Sequence, residues 1–194
     1  MLNVVLYEPE IPANTGNIGR TCVVTGSCLH LVGPLGFSLS DKLLHRAGLG
    51  YWRSLDVRTY NGWAEFLQVN MLEVDDPRIH YLTKKARRTY AESTYADGDF
   101  LVFGKESSGI PEELLARAPG RCERIPMMPD AATICDADQW AEPAGQPSDH
   151  PILRQDICGN FIDPTDYRIS ALNLSNAAAV VLYEALRQTG FAGM

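Results

Sequence analysis

Three short stretches of this sequence combine glycine, asparagine and charged residues in patterns that could carry out chemistry. They read NTGNIGRTC at 14–22, FGKESSGIP at 103–111 and ALNLSNA at 171–177. The second follows an apolar run of the kind that is buried on both faces of a parallel sheet, and open α/β sheets bind ligands at the carboxyl ends of such strands. The sequence therefore predicts a ligand site at the glycine loop that carries Glu106.

The loop around Glu106 does not match the common phosphate-binding patterns. The Walker pattern needs Gly-Lys-Ser/Thr after four intervening residues, and the dinucleotide pattern needs three correctly spaced glycines. Glu106 would also repel a phosphate, so a buried carboxylate here suits a cation better. The alternative is that Glu106 is an acidic residue favoured near the N-terminus of the following helix.

The third stretch opens the last helix of the chain. Asn173 or Ser175 can offer a side-chain oxygen to the unpaired amides of the first turn. Apolar residues then recur at helical spacing, and Gly190 stands where a left-handed residue is expected after the helix end. Helix capping would explain these polar residues, but so many of them beside a buried helix leave a functional role open.

The elements that must position these stretches alternate between strand and helix. Strands are predicted at 3–7, 27–32, 56–60, 79–82, 99–103 and 121–125, and helices at 14–26, 40–47, 63–69 and about 173–189. Asn14 or Thr15 would cap the first helix and Asn61 the third. The sequence predicts an α/β fold, a mostly parallel sheet flanked by helices, in a single domain of residues 1–194.

The composition is that of an ordinary globular protein of 194 residues, with 45% hydrophobic and 21% charged residues. No apolar run reaches membrane-spanning length and no leader precedes the first strand, so we expect a soluble, cytoplasmic protein without a membrane partner. The net charge of −7 argues against a general nucleic-acid binder and requires a local patch for any RNA contact. The one dense basic run, at 84–88, could be a solvated loop or such a patch.

Five cysteines form an odd set without a Cys-x-x-Cys pair, which predicts reduced thiols. The spacing of Cys135, His150 and Cys158 matches no familiar zinc pattern, and no metal is expected. These three residues lie in a segment at about 129–168 that lacks any clear period. We interpret it as an insertion that packs over the mouth of the site or along the RNA-facing rim, with an inert surface excursion as the alternative.

Taken together, the three stretches resemble motifs 1, 2 and 3 of the SPOUT class of RNA methyltransferases. The sequences LYEPEIP at 6–12 and DKLLHRAGL at 41–49 narrow the resemblance to the small subfamily that 2′-O-methylates the wobble nucleotide, position 34, of transfer RNA. The resemblance covers 1–127 and 170–191. It implies a C-terminal deep trefoil knot, S-adenosylmethionine as the cofactor, the tRNA anticodon arm as the partner, and a homodimer whose active sites are completed at the interface.

The resemblance also assigns roles to individual residues. It places the cofactor pocket at Leu82, Gly104, Gly109, Ile125, Met127, Ala171 and Leu174, catalysis at Arg20, Glu106 and Asn173, and RNA binding at Asn14 and Arg46. A guanidinium keeps its proton, so we expect Arg20 to clamp a phosphate and stabilise the developing alkoxide rather than act as a base. A surface salt bridge is the alternative for Arg20.

Two departures from the family leave the function open at this stage. The family usually has serine where this chain has Ala171, and the segment before motif 3 is longer than in the family. A catalytically weak RNA-binding protein on the same dimeric scaffold, or an enzyme that methylates another tRNA or rRNA position, therefore stands beside the position-34 methyltransferase.

Overall fold

The computed structural model describes residues 1–38, 50–127, 171–192 and 194, together with the backbone of 154–155 and 161–162. The predicted helix at 40–47, Arg46 within it, and most of the segment 129–168 lie outside the described residues. The strands are β1 Asn3–Tyr7, β2 Cys28–Val32, β3 Val57–Tyr60, β4 Ile79–Leu82, β5 Phe100–Phe103, β6 Cys122–Glu123, β7 Arg154–Gln155 and β8 Phe161–Ile162. The α-helices are α1 Pro12–Thr25, α2 Trp63–Asn70, α3 Glu112–Ala116 and α4 Leu174–Gln188.

Six of the strands form one sheet in the order β3-β2-β1-β5-β4-β6, and every pairing within it is parallel. The α/β class and the mostly parallel sheet predicted from the sequence are thus confirmed. The chain first adds β2 and β3 on one side of β1. It then crosses to the other side of β1, where β4, β5 and β6 lie, so the direction in which strands are added reverses between β1 and β5. Such a switch point leaves a crevice at the carboxyl ends of the strands. β7 and β8 form a separate antiparallel pair.

Helices cover both faces of the sheet because alternate strand residues point to opposite sides. In β1, Val4 and Leu6 face the core that packs against α1 and α4, whereas Val5 faces the core that contains Phe66 of α2. Strand β5 is buried throughout, as the apolar run predicts. Helices α1 and α4 pack directly against each other, which brings the first and third motif stretches to the same face.

Helix α1 begins earlier than predicted and neither Asn14 nor Thr15 caps it, whereas α2 begins at Trp63 as predicted but without the predicted cap. Helix α1 begins at Pro12 and has no side-chain cap, so the prediction that Asn14 caps it is wrong. Proline is favoured in the first turn because it has no amide to leave unpaired. The end of α1 at Gly26, which has a φ of 62°, is as predicted. Helix α2 is preceded by Gly62 rather than capped by Asn61.

A buried polar cluster joins the strands on the β4-β6 side of the sheet. His80 of β4 makes two hydrogen bonds, from Nδ1 to Glu123 (2.7 Å) and from Nε2 to Asp99 (3.1 Å). Tyr95 donates to the other Glu123 oxygen at 2.6 Å. Burial lowers the pKa of His80, but its bonds to Asp99 and Glu123 outweigh burial and raise that pKa to about 8. The His80 ring thus links β4 to β6 through Glu123 and to the residue before β5 through Asp99.

Candidate active site

A cavity of about 430 Å³ lies at the carboxyl ends of β4, β5 and β6, next to the switch point. All three motif stretches contribute to its wall. The seven residues predicted to hold a cofactor all line it: Leu82, Gly104, Gly109, Ile125, Met127, Ala171 and Leu174. Asn14, Glu106 and Asn173 line it as well, while Arg20 does not. The fold thus gathers ten residues that lie far apart in the sequence.

The loop after β5 doubles back on itself to form one wall of this cavity. The Gly109 amide donates to the Lys105 carbonyl at 2.8 Å, and Gly109 has a φ of 71°. A Cβ on Gly104 would lie 2.2 Å from the Gly109 carbonyl carbon and 2.3 Å from the Ile110 nitrogen. Side chains at these positions would therefore clash or strain the backbone, and only glycine allows the close approach.

The Glu106 carboxylate is held by amide donors. The backbone amides of Glu10 and Ile11 donate to it at 2.9 and 3.3 Å, and Asn14 Nδ2 donates at 2.9 Å. The prediction that this carboxylate suits a cation is therefore wrong, because three N–H groups satisfy it instead. Amide donors to a carboxylate are among the stronger hydrogen bonds in proteins. Glu106 fixes the start of α1 beside the cavity.

Asn14 extends this chain of hydrogen bonds to the third motif stretch. Asn173 Nδ2 donates to Asn14 Oδ1 at 2.9 Å, and Asn173 Oδ1 accepts from the amide and hydroxyl of Ser175 at 2.9 and 2.6 Å. Asn173 is thus the cap of α4, as the sequence predicts, and it also contacts the first motif. Asn14 is only 5% exposed. Its side chain is occupied inside the protein, which leaves little of it for RNA.

A second set of bonds holds the loop after β1 against the loop after β5. Ser107 donates to the Glu10 carboxylate from its amide and its hydroxyl, at 2.9 and 2.8 Å. These bonds from Ser107 hold the pKa of the Glu10 carboxyl below its ordinary value. Lys105 pairs with Glu8 at 2.9 Å. Glu8 and Glu10 were not among the predicted site residues, although two acidic residues in a short proline loop are visible in the sequence.

Arg20 lies on the exposed side of α1, away from the cavity lining. Its guanidinium carbon is 5.8 Å from the centre of the Tyr51 ring, and Tyr51 donates its hydroxyl to the Gly16 carbonyl at 2.6 Å. Within the part of the chain that the structure describes, Arg20 has no acidic partner, so the salt-bridge alternative has no support there. A cation over an aromatic face is weakly held and stays available to an anion. No feature of the sequence identified Tyr51 as its neighbour.

Among the described residues, no group of acidic, histidine and cysteine side chains could hold a metal ion. Over the same part of the chain, no helix is both long and apolar enough to cross a membrane.

Comparison with known proteins places this arrangement in a family. Residues 1–134 match the SpoU rRNA Methylase family. This chain belongs to the SpoU methylase family. The match covers the first two motif stretches and the strands β1 to β6, which together build most of the cavity.

Relatives of this SpoU methylase extend the similarity to the whole chain. A tRNA (cytidine(34)-2′-O)-methyltransferase from Saccharophagus degradans is 39% identical over 194 residues, covering 100% of this chain and 99% of the relative. The enzyme of the same name from Escherichia coli is 38% identical over 195 residues, covering 100% and 97%. A solved structure that concerns the 2-OH methylation of C/U34 on tRNA has a TM-score of 0.68 and 35% identity, covering 98% of this chain and 97% of that one.

Proposed function

We propose that this SpoU methylase transfers a methyl group from S-adenosylmethionine to the ribose 2′-hydroxyl of nucleotide 34, cytidine or uridine, in transfer RNA. The observation that carries the proposal is the meeting of all three motif stretches at one cavity, in a chain whose full-length relatives bear that activity. The resemblance to the same subfamily rests on the same residues.

The cavity suits S-adenosylmethionine in size and lining. Its volume of about 430 Å³ lies within the range of small-molecule sites, roughly 300–1,000 Å³. Gly104 and Gly109 bring the backbone to the cavity wall without side chains, while Leu82, Ile125 and Leu174 offer apolar surface. When bound, S-adenosylmethionine supplies an activated methyl group on its sulfonium. Ala171 lines this cavity where the family usually has serine, and its own side chain brings no hydroxyl to the wall.

The chain's own residues then position the acceptor and handle its charge. Glu106 holds Asn14, and Asn14 accepts from Asn173 at the cavity wall, where Asn173 also accepts from Ser175. Arg20 clamps the phosphate beside nucleotide 34 and stabilises the oxyanion that develops on the ribose, because it stays charged at all working pH values. The hydroxyl proton leaves to phosphate or water. Correct positioning can supply up to roughly 7–11 kcal/mol of the rate enhancement.

The working enzyme in this proposal is a homodimer with a C-terminal trefoil knot, acting in the cytoplasm, where transfer RNA is modified. Arg20 does not line the cavity of its own chain, which supports an active site completed by the second subunit. Val180 and Tyr183 on α4 are 39% and 44% exposed and offer an apolar surface for that contact. The residues that would complete the knot, between Met127 and Ala171, are mostly outside the described part of the chain.

The test is transfer of labelled methyl groups into total tRNA and, separately, into ribosomal RNA, followed by mapping of the modified nucleotide. We expect the label at ribose 34 of a subset of tRNAs and none in ribosomal RNA. Calorimetry with S-adenosylmethionine is the companion measurement. Failure to bind cofactor at millimolar concentration, together with intact tRNA binding, would favour the catalytically weak RNA-binding protein.

A further inference from the structure

The mouth of the cavity carries one lysine whose charge is not neutralised. Three lysines line the cavity. Lys85 pairs with Glu112, and Lys105 pairs with Glu8 at 2.9 Å. Lys84 is exposed and has no acidic partner among the residues that the structure describes. The positive charge of Lys84 thus stands unpaired at this rim, although the chain as a whole has a net charge of −7.

Lys84 sits at the tip of a turn whose two ends are anchored. The Thr83 amide donates to the Glu123 carbonyl of β6 at 2.8 Å, and the Ala86 amide donates to the Thr83 carbonyl at 3.2 Å. The Thr83 hydroxyl accepts from the Lys85 amide at 3.3 Å, and Ala86 is fully buried. Part of the entropy cost of ordering this loop is thus met when the protein folds, before any ligand binds. An exposed residue on such a rigid turn is well placed for binding.

The other charges at the cavity leave Lys84 free to meet an anion. The Glu106 carboxylate is already satisfied by three N–H donors. Glu8 and Glu112 are each held by a lysine. In an acidic chain, an unpaired cation at the rim of a tRNA-modifying site has its largest effect when it faces the phosphate backbone. The exposure of Lys84 favours a ligand that arrives from outside the cavity over the smaller cofactor within it.

We propose that Lys84 binds a backbone phosphate of the tRNA anticodon loop close to nucleotide 34. This inference rests on the proposed function and adds to it a specific contact between enzyme and substrate. It gives this acidic chain one unpaired cation at a place where the RNA backbone would pass. The contact contributes affinity and register but does not read the base.

The test compares Lys84→Gln with Arg117→Gln, a matched loss of one exposed positive charge away from the cavity. Binding of tRNA is measured by filter retention over a range of salt concentrations, with the full-length protein. Removing one cation that binds a phosphate of a single strand makes the slope of log affinity against log salt shallower by about 0.7. We expect that change for Lys84→Gln, with tRNA affinity about fivefold lower at 0.1 M salt, and little change for Arg117→Gln. Affinity for S-adenosylmethionine should be the same in both variants.

Two outcomes would contradict the proposed Lys84 contact. A lower cofactor affinity with an unchanged salt slope would place Lys84 on the cofactor carboxylate. Equal changes in both variants would show a diffuse charge effect.

The proposed function and the Lys84 contact can fail independently of each other. If wild-type protein binds tRNA and Lys84→Gln flattens its slope, but no methyl appears at nucleotide 34, the function is wrong and the contact stands. If the wild-type protein methylates nucleotide 34 but Lys84→Gln leaves the salt slope unchanged, the Lys84 contact is wrong and the proposed function stands.

Discussion

At the scale of single residues, Arg20 is an exposed cation, whereas Glu106 is a carboxylate that accepts hydrogen bonds from three N–H groups. Glu106 uses its hydrogen-bonding capacity on Glu10, Ile11 and Asn14. It therefore positions the start of α1 and the side chain of Asn14. Arg20 is exposed over Tyr51 and has its donors available. In the proposed mechanism, the residue that meets the charge of the substrate is thus Arg20, which makes no ion pair within the described part of the chain.

Replacing Arg20 by alanine should reduce methyl transfer far more than cofactor affinity. Loss of one donor to a developing oxyanion typically lowers the rate by roughly 10²–10³. Because Arg20 is outside the cavity lining, the dissociation constant for S-adenosylmethionine should barely change. Single-turnover rates and calorimetry on Arg20→Ala measure the two effects. Arg20→Lys keeps the charge but loses the planar fork and should be intermediate. Parallel losses of rate and cofactor binding would instead place Arg20 in the pocket or in folding.

At the scale of elements, the loop after β5 is shaped by backbone proximity. Its fold depends on Gly104 lying against Gly109 and Ile110, an approach that leaves no room for a side chain. The two bonds from Ser107 to Glu10 then fix this loop against the one after β1. The cavity wall is thus a product of two loops that hold each other.

Replacing Gly104 by alanine should abolish cofactor binding or weaken it by a factor of about 100 or more, which corresponds to ~3 kcal/mol for the required shift of the loop. The matched control is Gly120→Ala, since a Cβ there meets no atom within 4 Å. Calorimetry with S-adenosylmethionine compares the two variants, and circular dichroism checks that both are folded. Wild-type affinity in Gly104→Ala would show that the loop does not form the cofactor wall.

A second prediction at this scale concerns the cluster that joins β4, β5 and β6. His80 has a pKa raised from 6.5 to about 8 by the carboxylates of Asp99 and Glu123, despite its burial. A raised pKa in the folded state stabilises the protein fully below 6.5, and this contribution is lost as the pH rises through about 8. The free energy of unfolding should therefore fall by on the order of 1–2 kcal/mol between about pH 6.5 and 8.5.

Urea unfolding across that pH range measures the effect, with His80→Gln as the control that should lack the slope. His30, which is also buried, has a pKa lowered by burial to about 4, so its titration affects stability only below pH 6.5. The imidazole resonances of His80 give an independent test in the folded protein. A midpoint below 6.5 for His80 would contradict the prediction, whatever the variant does.

At the scale of the whole molecule, the question is what covers the exposed apolar side of α4. This helix buries Val181, Leu182 and Ala185 against the sheet, yet Val180 and Tyr183 remain 39% and 44% exposed. A second copy of the chain would cover them and bring a second Arg20 near the site. Exposed apolar area of this kind on a small protein commonly marks a partner.

Light scattering should give a dimeric mass at micromolar concentration, and Tyr183→Asp should shift it toward the monomer. Burial of an unpaired carboxylate at the interface opposes association strongly. Val69→Asp, at an apolar residue that is 60% exposed on α2, is the control and should leave the mass unchanged. A monomeric wild-type protein would remove the dimer and with it the shared active site.

The sequence by itself determined the features that depend on local energetics. Strand β5, the glycine loop behind it and the capped start of α4 at Asn173 follow from apolar runs, turn residues and orphan amides, all within a few positions. The start of α1 was predicted wrongly because distant groups act on it. Asn14 does not cap α1 because its side chain is engaged by Glu106 and Asn173.

Only the tertiary structure decided how these local features combine into a site. The bond between Asn14 and Glu106 spans 92 positions, and that between Asn14 and Asn173 spans 159. No local pattern encodes such partners, because the entropy of closing these loops is offset by the packing of the sheet and both helices as a whole. The same holds for Lys84, whose basic run was visible in the sequence, while the ion pairs that leave this lysine uncompensated depend on Glu112 and on where the strands end.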